Sequence, residues 1–507
     1  MARDYKQIGK NIALTGFFSE YLPPCFSLNK RTLCFPPSSD CDLIPPYSFT
    51  MSRYNGNDAR RTIFIPEIGS YLAAHSYMTE NDIIKELIDF SQSDKHSFSH
   101  ILSDVDDSIM RHEQIYNQDP AEEDEDTSSS VYMLNIGEKL IRAAGAKKIL
   151  KLDIANCYAS VYMHMVPAIM LGYEDAEQEY RKFSRNHDDA SVSATYHKYR
   201  KLDEAIRRQN LNRTNGLLPG VLSSRIIAEA ILTRIDRELD EHDFRFIRYV
   251  DDYEVFLYDD DEKKAISVFS EVIKKYGFSL NAEKTMMIDF PFYVVENFEG
   301  ILGGKLNNVI SWEDLIDIFN AFFKLEQQGT KGAIRYLLKR FEKQPPRMAM
   351  PELYKAYLLT IMANNERSLS KSCAILISRK DDLPLSGADQ EIIRSMLNVH
   401  LRFKHDMEVL WLLYLLIETG GIEQQAPLID DIVSDGSELA HALLLRRGLL
   451  TPAQLGSAKE CAGSWLLLYE LYAAGEISED EFSDRLNLNK NLPMYQKFKR
   501  NNIHFVS

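Results

Sequence analysis

At 507 residues, 45% hydrophobic and 26% charged, the chain is too long for one core and is expected to fold as two or three domains that need no disulfides. A formal charge of −16 argues against general, sequence-blind coating of DNA and implies that any nucleic acid is held in a local basic groove or through metal ions. The six cysteines, at 25, 34, 41, 157, 373 and 461, form no C-x-x-C pair, which argues against a zinc knuckle or a disulfide framework and fits a reducing cytoplasm. The N-terminus is polar, and the longest apolar run, Val409 to Ile417, is far too short to span a bilayer, so no membrane role is expected.

In chain order, residues 1–50 carry Pro23-Pro24, Pro36-Pro37 and Pro45-Pro46 and read as an irregular N-terminal arm. Strands and helices mix from Tyr47 to about Met110. Residues 119–130 then form an acidic, low-complexity stretch expected to be a solvated linker. Ile149 to Asp153 is an apolar strand ending on a carboxylate, followed by a turn into a helix-like run. Asp153 is a candidate metal ligand here, and on local grounds alone a helix N-cap.

Residues 181–213 hold nine Lys/Arg against four Asp/Glu, interleaved with Phe183, Tyr196 and Tyr199. That pattern suits contact with a strand backbone and stacked bases, and equally an exposed helical face. Residues 246–257, Phe-Ile-Arg-Tyr-Val-Asp-Asp-Tyr-Glu-Val-Phe-Leu, are two β-rich runs joined at Asp251-Asp252. Asp tolerates the left-handed geometry of a two-residue hairpin turn, so both carboxylates are expected at the tip. Like charges held that close call for a cation, and Mg²⁺ prefers carboxylate oxygens. With Asp153 they would suit a site for two ions about 3.5 to 4 Å apart, as in nucleotidyl transfer; an acidic turn facing water is the plainer reading.

From Trp312 onward the pattern is helical. Leu353, Tyr357, Leu358 and Ile361 recur at helical spacing, and Gly420-Gly421, Gly448 and Gly475 read as C-terminal caps. Helix after helix suggests a HEAT-like array, though no fixed repeat period is readable. Lys490, Lys497, Lys499 and Arg500 around Tyr495 read first as a basic tail.

The order of these features resembles the palm of reverse transcriptases. Tyr249-Val250-Asp251-Asp252 resembles the Tyr-x-Asp-Asp box of motif C, and Asp153 with Tyr158 resembles the motif A aspartate and its aromatic steric gate. Gly216 to Ser224 is similar to motif B, with Gly220 and Ser224 in place but Leu218-Pro219 where the family has Pro-Gln. Gly277 to Thr285 resembles motif D, with Lys284 as its lysine. Arg61, and behind it Arg53, resemble the fingers residues that grip a triphosphate. The resemblance implies an α+β fold of fingers and palm over 51–310, after an arm over 1–50 and before an α-helical repeat-like domain over 311–507. It implies two Mg²⁺ on Asp153, Asp251 and Asp252, deoxynucleotide selection by Tyr158, and a floor under the base from Gly220 and Ser224.

The flanks of motifs A and B and the long helical half resemble abortive-infection reverse transcriptases of the AbiK type. That family implies antiviral defence by untemplated synthesis of single-stranded DNA from dNTPs, primed by a tyrosine of the protein, which stays attached to the product. It also implies a homo-oligomer. Tyr5 in the arm is the first priming candidate, with Tyr21 and Tyr47 behind it. The departure at Leu218-Pro219 removes an amide that usually touches nucleotide or template. A templated, retron-like reverse transcriptase and a non-catalytic palm-fold binding protein are the alternatives.

Overall fold

The computed structural model describes residues 3–37, 40–52, 60–103, 107–110, 137–187, 189–259, 261–293, 298–303, 305, 309–330, 332–424 and 426–507. The acidic stretch at 119–130 and Arg53 lie outside the described residues.

The arm is more ordered than its prolines suggest. Asp4 caps the helix α1 (Tyr5–Thr15) by accepting from the N–H groups of Lys6 and Gln7. The strands β1 (Tyr47–Ser52) and β2 (Arg60–Ile65) then pair antiparallel, followed by the helices α2 (Ile68–Glu80) and α3 (Ile83–Gln92). A second, four-stranded antiparallel sheet runs in the order β4-β5-β3-β6, from β3 (Lys148–Asp153), β4 (Arg245–Tyr249), β5 (Asp252–Leu257) and β6 (Met286–Asp289). Two helices, α4 (Leu222–Asp240) and α5 (Glu262–Lys275), pack together, and α3 lies against α4.

Period-2 alternation explains how the sheet is covered on both faces. Leu150, Leu152, Phe246, Tyr253 and Val255 join α3, α4 and α5 in one core. Ile149, Ile247, Tyr249 and Phe256 form a smaller core on the other face with Phe98 and Ala143. By this alternation Arg248 falls on the α4 side, between Phe246 and Val250, and its side chain is fully buried.

Twelve α-helices follow among the described residues, from Trp312–Gln327 to Leu492–Arg500. Ser311 caps the first of them, and Ser386 and Thr451 form capping boxes further on. Gly475 sits at a helix end with φ 81°, the left-handed geometry its sequence position suggested. The run Val409 to Ile417 is the centre of a helix buried on nearly all faces.

One continuous core joins these helices to the N-terminal part: Phe17, Phe26, Phe49, Ile63, Ile65 and Tyr71 pack with Leu410, Trp465 and Phe505. Polar contacts cross the same seam. Thr50 N–H donates to Asp406 at 2.8 Å, Arg60 pairs with Glu408, and the Tyr495 hydroxyl donates to buried Glu67 at 2.5 Å. The basic C-terminal stretch is therefore no loose tail: Tyr495 and Phe498 are buried, and the Ser507 N–H donates to the Cys25 carbonyl at 3.0 Å. Among the described residues no helix is long and apolar enough to cross a membrane.

Candidate active site

Three chain segments meet at the end of β3. In the ladder Asp153 stands directly opposite Asp252, and Tyr249 opposite Asp252 on the other side. The Ile154 N–H donates to the Asp251 carbonyl at 3.1 Å, which fixes the turn against the end of β3. The Asn281 N–H donates to the Asp153 carbonyl at 2.8 Å and the Ala155 N–H to that of Ser279 at 2.9 Å, so the segment bearing Lys284 closes the other edge.

The turn is displaced by one residue from the sequence expectation. β5 begins at Asp252, so the linking residues are Val250 and Asp251, and the left-handed residue is Val250 with φ 53° rather than an aspartate. A β-branched side chain disfavours that geometry, and here both backbone groups of the residue are hydrogen-bonded. The Val250 N–H donates to Ser99 Oγ at 2.9 Å, and its carbonyl accepts from Arg248 at 3.0 Å.

The electrostatics are those of crowded carboxylates. Desolvation, the charge of Asp251, and a hydrogen bond with Asp153 push Asp252 up to about 7, although the residue reaches the surface. Burial and then the charge of Asp153 raise Asp251, while Lys284 and Arg61 pull it down. Lys284 Nζ donates to Asp153 Oδ2 at 2.7 Å and Asn281 Nδ2 to Oδ1 at 3.0 Å. Desolvation lowers the Lys284 pKa, but its bond to Asp153 and the three negative charges outweigh this, so it is raised. Opposed like charges across a ladder are unfavourable. Hard oxygen donors with surplus negative charge fit a divalent cation such as Mg²⁺.

The remaining candidates fall around this centre. Tyr158, in the short helix Cys157–Ser160, is strongly raised by burial, and its carbonyl accepts from the Leu217 N–H at 2.9 Å. This ties the motif A turn to the motif B loop. Gly220 has φ 103°, and a Cβ there would lie 2.4 Å from Ile63 Cγ2. The Pro219 carbonyl accepts from Phe64 N–H at 2.9 Å, so the loop lies on β2. Ser224 is buried in the first turn of α4. Arg61 is exposed on β2 and has no hydrogen bond or ion pair among the described residues.

Other candidates are placed differently. The Tyr5 hydroxyl donates to Asp89, and burial followed by that bond raises its pKa; none of the three aspartates is among its interaction partners. Tyr47 is raised by burial and then by Asp406 and Glu438, which turns it toward the helical half. The Tyr21 carbonyl accepts from Trp411 Nε1 of the helical half at 2.8 Å.

Six of the nine cations in 181–213 are ion-paired: Arg181, Lys182, Lys198, Arg200, Arg207 and Arg208. Arg185, Lys201 and Arg213 have no ion pair among the described residues. Tyr196 and Tyr199 are buried, so most of this stretch serves the fold.

Sequence reasoning missed several groups: Arg248 with Glu229 and Asp236, the serines at 97 and 99, and Asn281. Arg248 did carry a signal, a charge on the inward face of an apolar strand, which must be paired. Its acceptors on α4 could not be read from spacing. Also missed were Glu366, His400 and His405, the one group among the described residues whose ligand atoms all lie within 4.8 Å of one another; the three aspartates are more open than that. Existing contacts account for that cluster, since Arg60 pairs with Glu366 and the two Nδ1 atoms hydrogen-bond at 3.0 Å.

Residues 97–292 match the family model described as "Reverse transcriptase (RNA-dependent DNA polymerase)". Carboxylates on the ladder of an antiparallel sheet, inside that match, define the class: the chain carries a reverse transcriptase domain and is a nucleotidyltransferase, a reverse transcriptase-like polymerase. Such polymerases act on nucleotides and nucleic acid and generally use divalent ions. No curated protein matches the chain.

Solved structures similar to it include apo telomerase from Candida tropicalis, with TM-score 0.31 and 12% identity over 78% of this chain and 68% of that one. Telomerase from Candida albicans, in complex with a fragment of telomeric RNA, gives TM-score 0.30 and 13% identity over 83% of this chain and 66% of that one.

Proposed function

We propose that the chain is a phage-defence reverse transcriptase of the abortive-infection type, building single-stranded DNA from dNTPs without a template on a tyrosine of its own. The observation that carries the untemplated part is at position 219. Where the family has a glutamine amide, proline offers none, its carbonyl is engaged by Phe64 N–H, and the neighbouring Leu218 is buried in the core.

In this reading Asp153, Asp251 and Asp252 hold two Mg²⁺, which lower the pKa of the attacking hydroxyl and neutralise charge on the leaving pyrophosphate. Arg61, exposed and within electrostatic reach of Asp251, receives the triphosphate, with Arg53 as a second cation. Lys284 holds Asp153 and supplies a proton for the departing pyrophosphate. Tyr158 crowds the 2′ position of the sugar, and Gly220 and Ser224 form the floor below the base.

Tyr5 is the first priming candidate by its place in the arm. Its raised pKa and its bond to Asp89 mean that priming from it requires α1 to leave that seat. Residues 51–310 would serve as fingers and palm, and the helices beyond 311 as a HEAT-like array shielding the growing strand. Assembly as a homo-oligomer completes the proposal.

A template challenge tests it. Purified protein, Mg²⁺ and dNTPs are incubated with and without a primed RNA of defined sequence. Product composition independent of the RNA is expected; product that copies the RNA would establish a templated enzyme instead. In the same assay Tyr158→Ala is expected to admit ribonucleotides, and unchanged sugar discrimination would remove the gate from Tyr158.

A further inference from the structure

The turn that carries Asp251 is clamped from beneath by a buried ionic network. Arg248 donates through Nε to Asp236 at 2.7 Å. Its two terminal nitrogens donate to the two Glu229 oxygens at 2.9 and 3.0 Å. One of them also donates to the Val250 carbonyl at 3.0 Å. Asp94 lies 3.6 Å from the guanidinium. Both acceptors on α4 are themselves buried, so removing Arg248 leaves the Glu229 charge without its cation.

A second limb reaches the same turn from residues 96–99, which run beside β4: the Arg248 N–H donates to the His96 carbonyl and the Phe98 N–H to the Arg248 carbonyl, each at 2.9 Å. From this segment Ser97 Oγ donates to Glu229 at 2.6 Å and Ser99 Oγ at 3.2 Å. Ser99 Oγ also accepts the Val250 N–H at 2.9 Å. Thus both backbone groups of Val250 are held, one by Ser99 and one by Arg248, and both holders are anchored on Glu229.

We infer that Arg248, Glu229 and Ser99 are positioning residues: they impose the left-handed conformation on Val250 and so set where the Asp251 carboxylate stands relative to Asp153. Burial alone does not require this arrangement. A buried arginine could be satisfied by its three acids without touching the turn, and the strain of φ 53° at a valine persists only where surrounding contacts over-determine it. The network also makes α4, which starts with the motif B residues, and the motif C turn a single ionic unit.

The inference rests on the reading of Asp251 as a metal-holding group, and its test separates the two. Ser99 and Ser97 are both buried and both bound to Glu229; Ser99 alone touches Val250, while Ser97 Oγ accepts the Ser99 N–H at 3.1 Å and so acts on the turn only through Ser99. Mn²⁺ affinity is measured by electron paramagnetic resonance for the full-length protein, Asp251→Asn, Ser99→Ala, Ser97→Ala and Val250→Gly, with thermal melts alongside. Ser99→Ala is expected to weaken Mn²⁺ roughly tenfold, as loss of a group that orients a metal ligand does. Val250→Gly, which keeps both holds on residue 250, is expected to stay within about threefold of the unaltered protein, and Ser97→Ala, which loosens only the seat of Ser99, to lose clearly less than Ser99→Ala.

Equal losses in the two serine variants, or a tenfold loss in Val250→Gly, would overturn the brace while leaving the metal site in place. Mn²⁺ binding that is absent, or that survives in Asp251→Asn, would overturn the site reading and the brace with it. In dNTP incorporation, the brace predicts that Ser99→Ala lowers kcat and leaves KM for dNTP nearly unchanged.

Discussion

At the residue scale, the candidate carboxylates Asp153, Asp251 and Asp252 sit in a conflict that the fold maintains. Asp252 is pushed up to about 7, against an ordinary value of 3.8, by desolvation, Asp251 and Asp153. A carboxyl raised on folding stabilises the protein fully below its unfolded value, and that contribution is lost as pH rises through about 7. A bound cation reverses the penalty above that pH. Mg²⁺ is therefore expected to raise the melting temperature more at pH 8 than at pH 6, and Asp252→Asn to flatten the difference, as differential scanning fluorimetry would show. An Mg²⁺ shift independent of pH would contradict this electrostatic picture. Asp251→Asn removes the same repulsion, so its melt without Mg²⁺ is expected to match or exceed that of the unaltered protein.

The candidate residues that the structure brings together were legible. Asp153, Asp251, Asp252 and Lys284 stand out because carboxylates between apolar strands, and a lysine in the segment that follows, are unusual on local grounds. The geometry of their turn was not legible. Intrinsic preference gives the left-handed position to an aspartate, whereas Ser99 and Arg248 force it on Val250 from segments that sequence spacing does not connect.

At the element scale, the motif B loop and β2 are packed too closely for any side chain at 220. Gly220→Ala would meet Ile63 at 2.4 Å in a backbone with φ 103°. The cost is expected to be about 2–4 kcal/mol, combining backbone strain and overpacking. Denaturant melts measure it directly; a loss below about 0.5 kcal/mol would mean that the loop does not sit on β2.

The long helices after Trp312 were plain from periodicity and glycine caps. α1 was not: its cap Asp4 and its buried Ile8 and Ile12 precede the first proline, Pro23, yet the proline pairs further on set the reading of the whole arm. The cations at 181–213 show the opposite failure: composition suggested a nucleic-acid groove, and intra- and inter-helix pairing consumes most of them. Charge counts along a chain do not reveal which charges already have partners.

At the scale of the whole molecule, the polymerase domain and the helical half share one core. Phe49, Ile63, Ile65 and Tyr71 on one side and Leu410, Trp465 and Phe505 on the other are buried together, and the arm from Phe17 to Phe26 fills the joint. Fully burying a side chain of this size contributes about 1.5–3 kcal/mol, so exposing even a handful exceeds the stability of a typical domain. A chain ending after residue 305 is accordingly expected not to fold, giving aggregated protein without a cooperative melt. A soluble, cooperatively melting truncation would contradict the shared core.

Covalent labelling tests the proposal that this chain joins dNTPs to itself through Asp153, Asp251 and Asp252. Purified protein and Asp251→Asn are incubated with Mg²⁺ and labelled dNTPs, with neither primer nor template, then denatured and resolved. The expected result is nuclease-sensitive label on the unaltered polypeptide, mapped by mass spectrometry to a tyrosine, and none on Asp251→Asn. An unlabelled polypeptide, or equal label on both proteins, would contradict it.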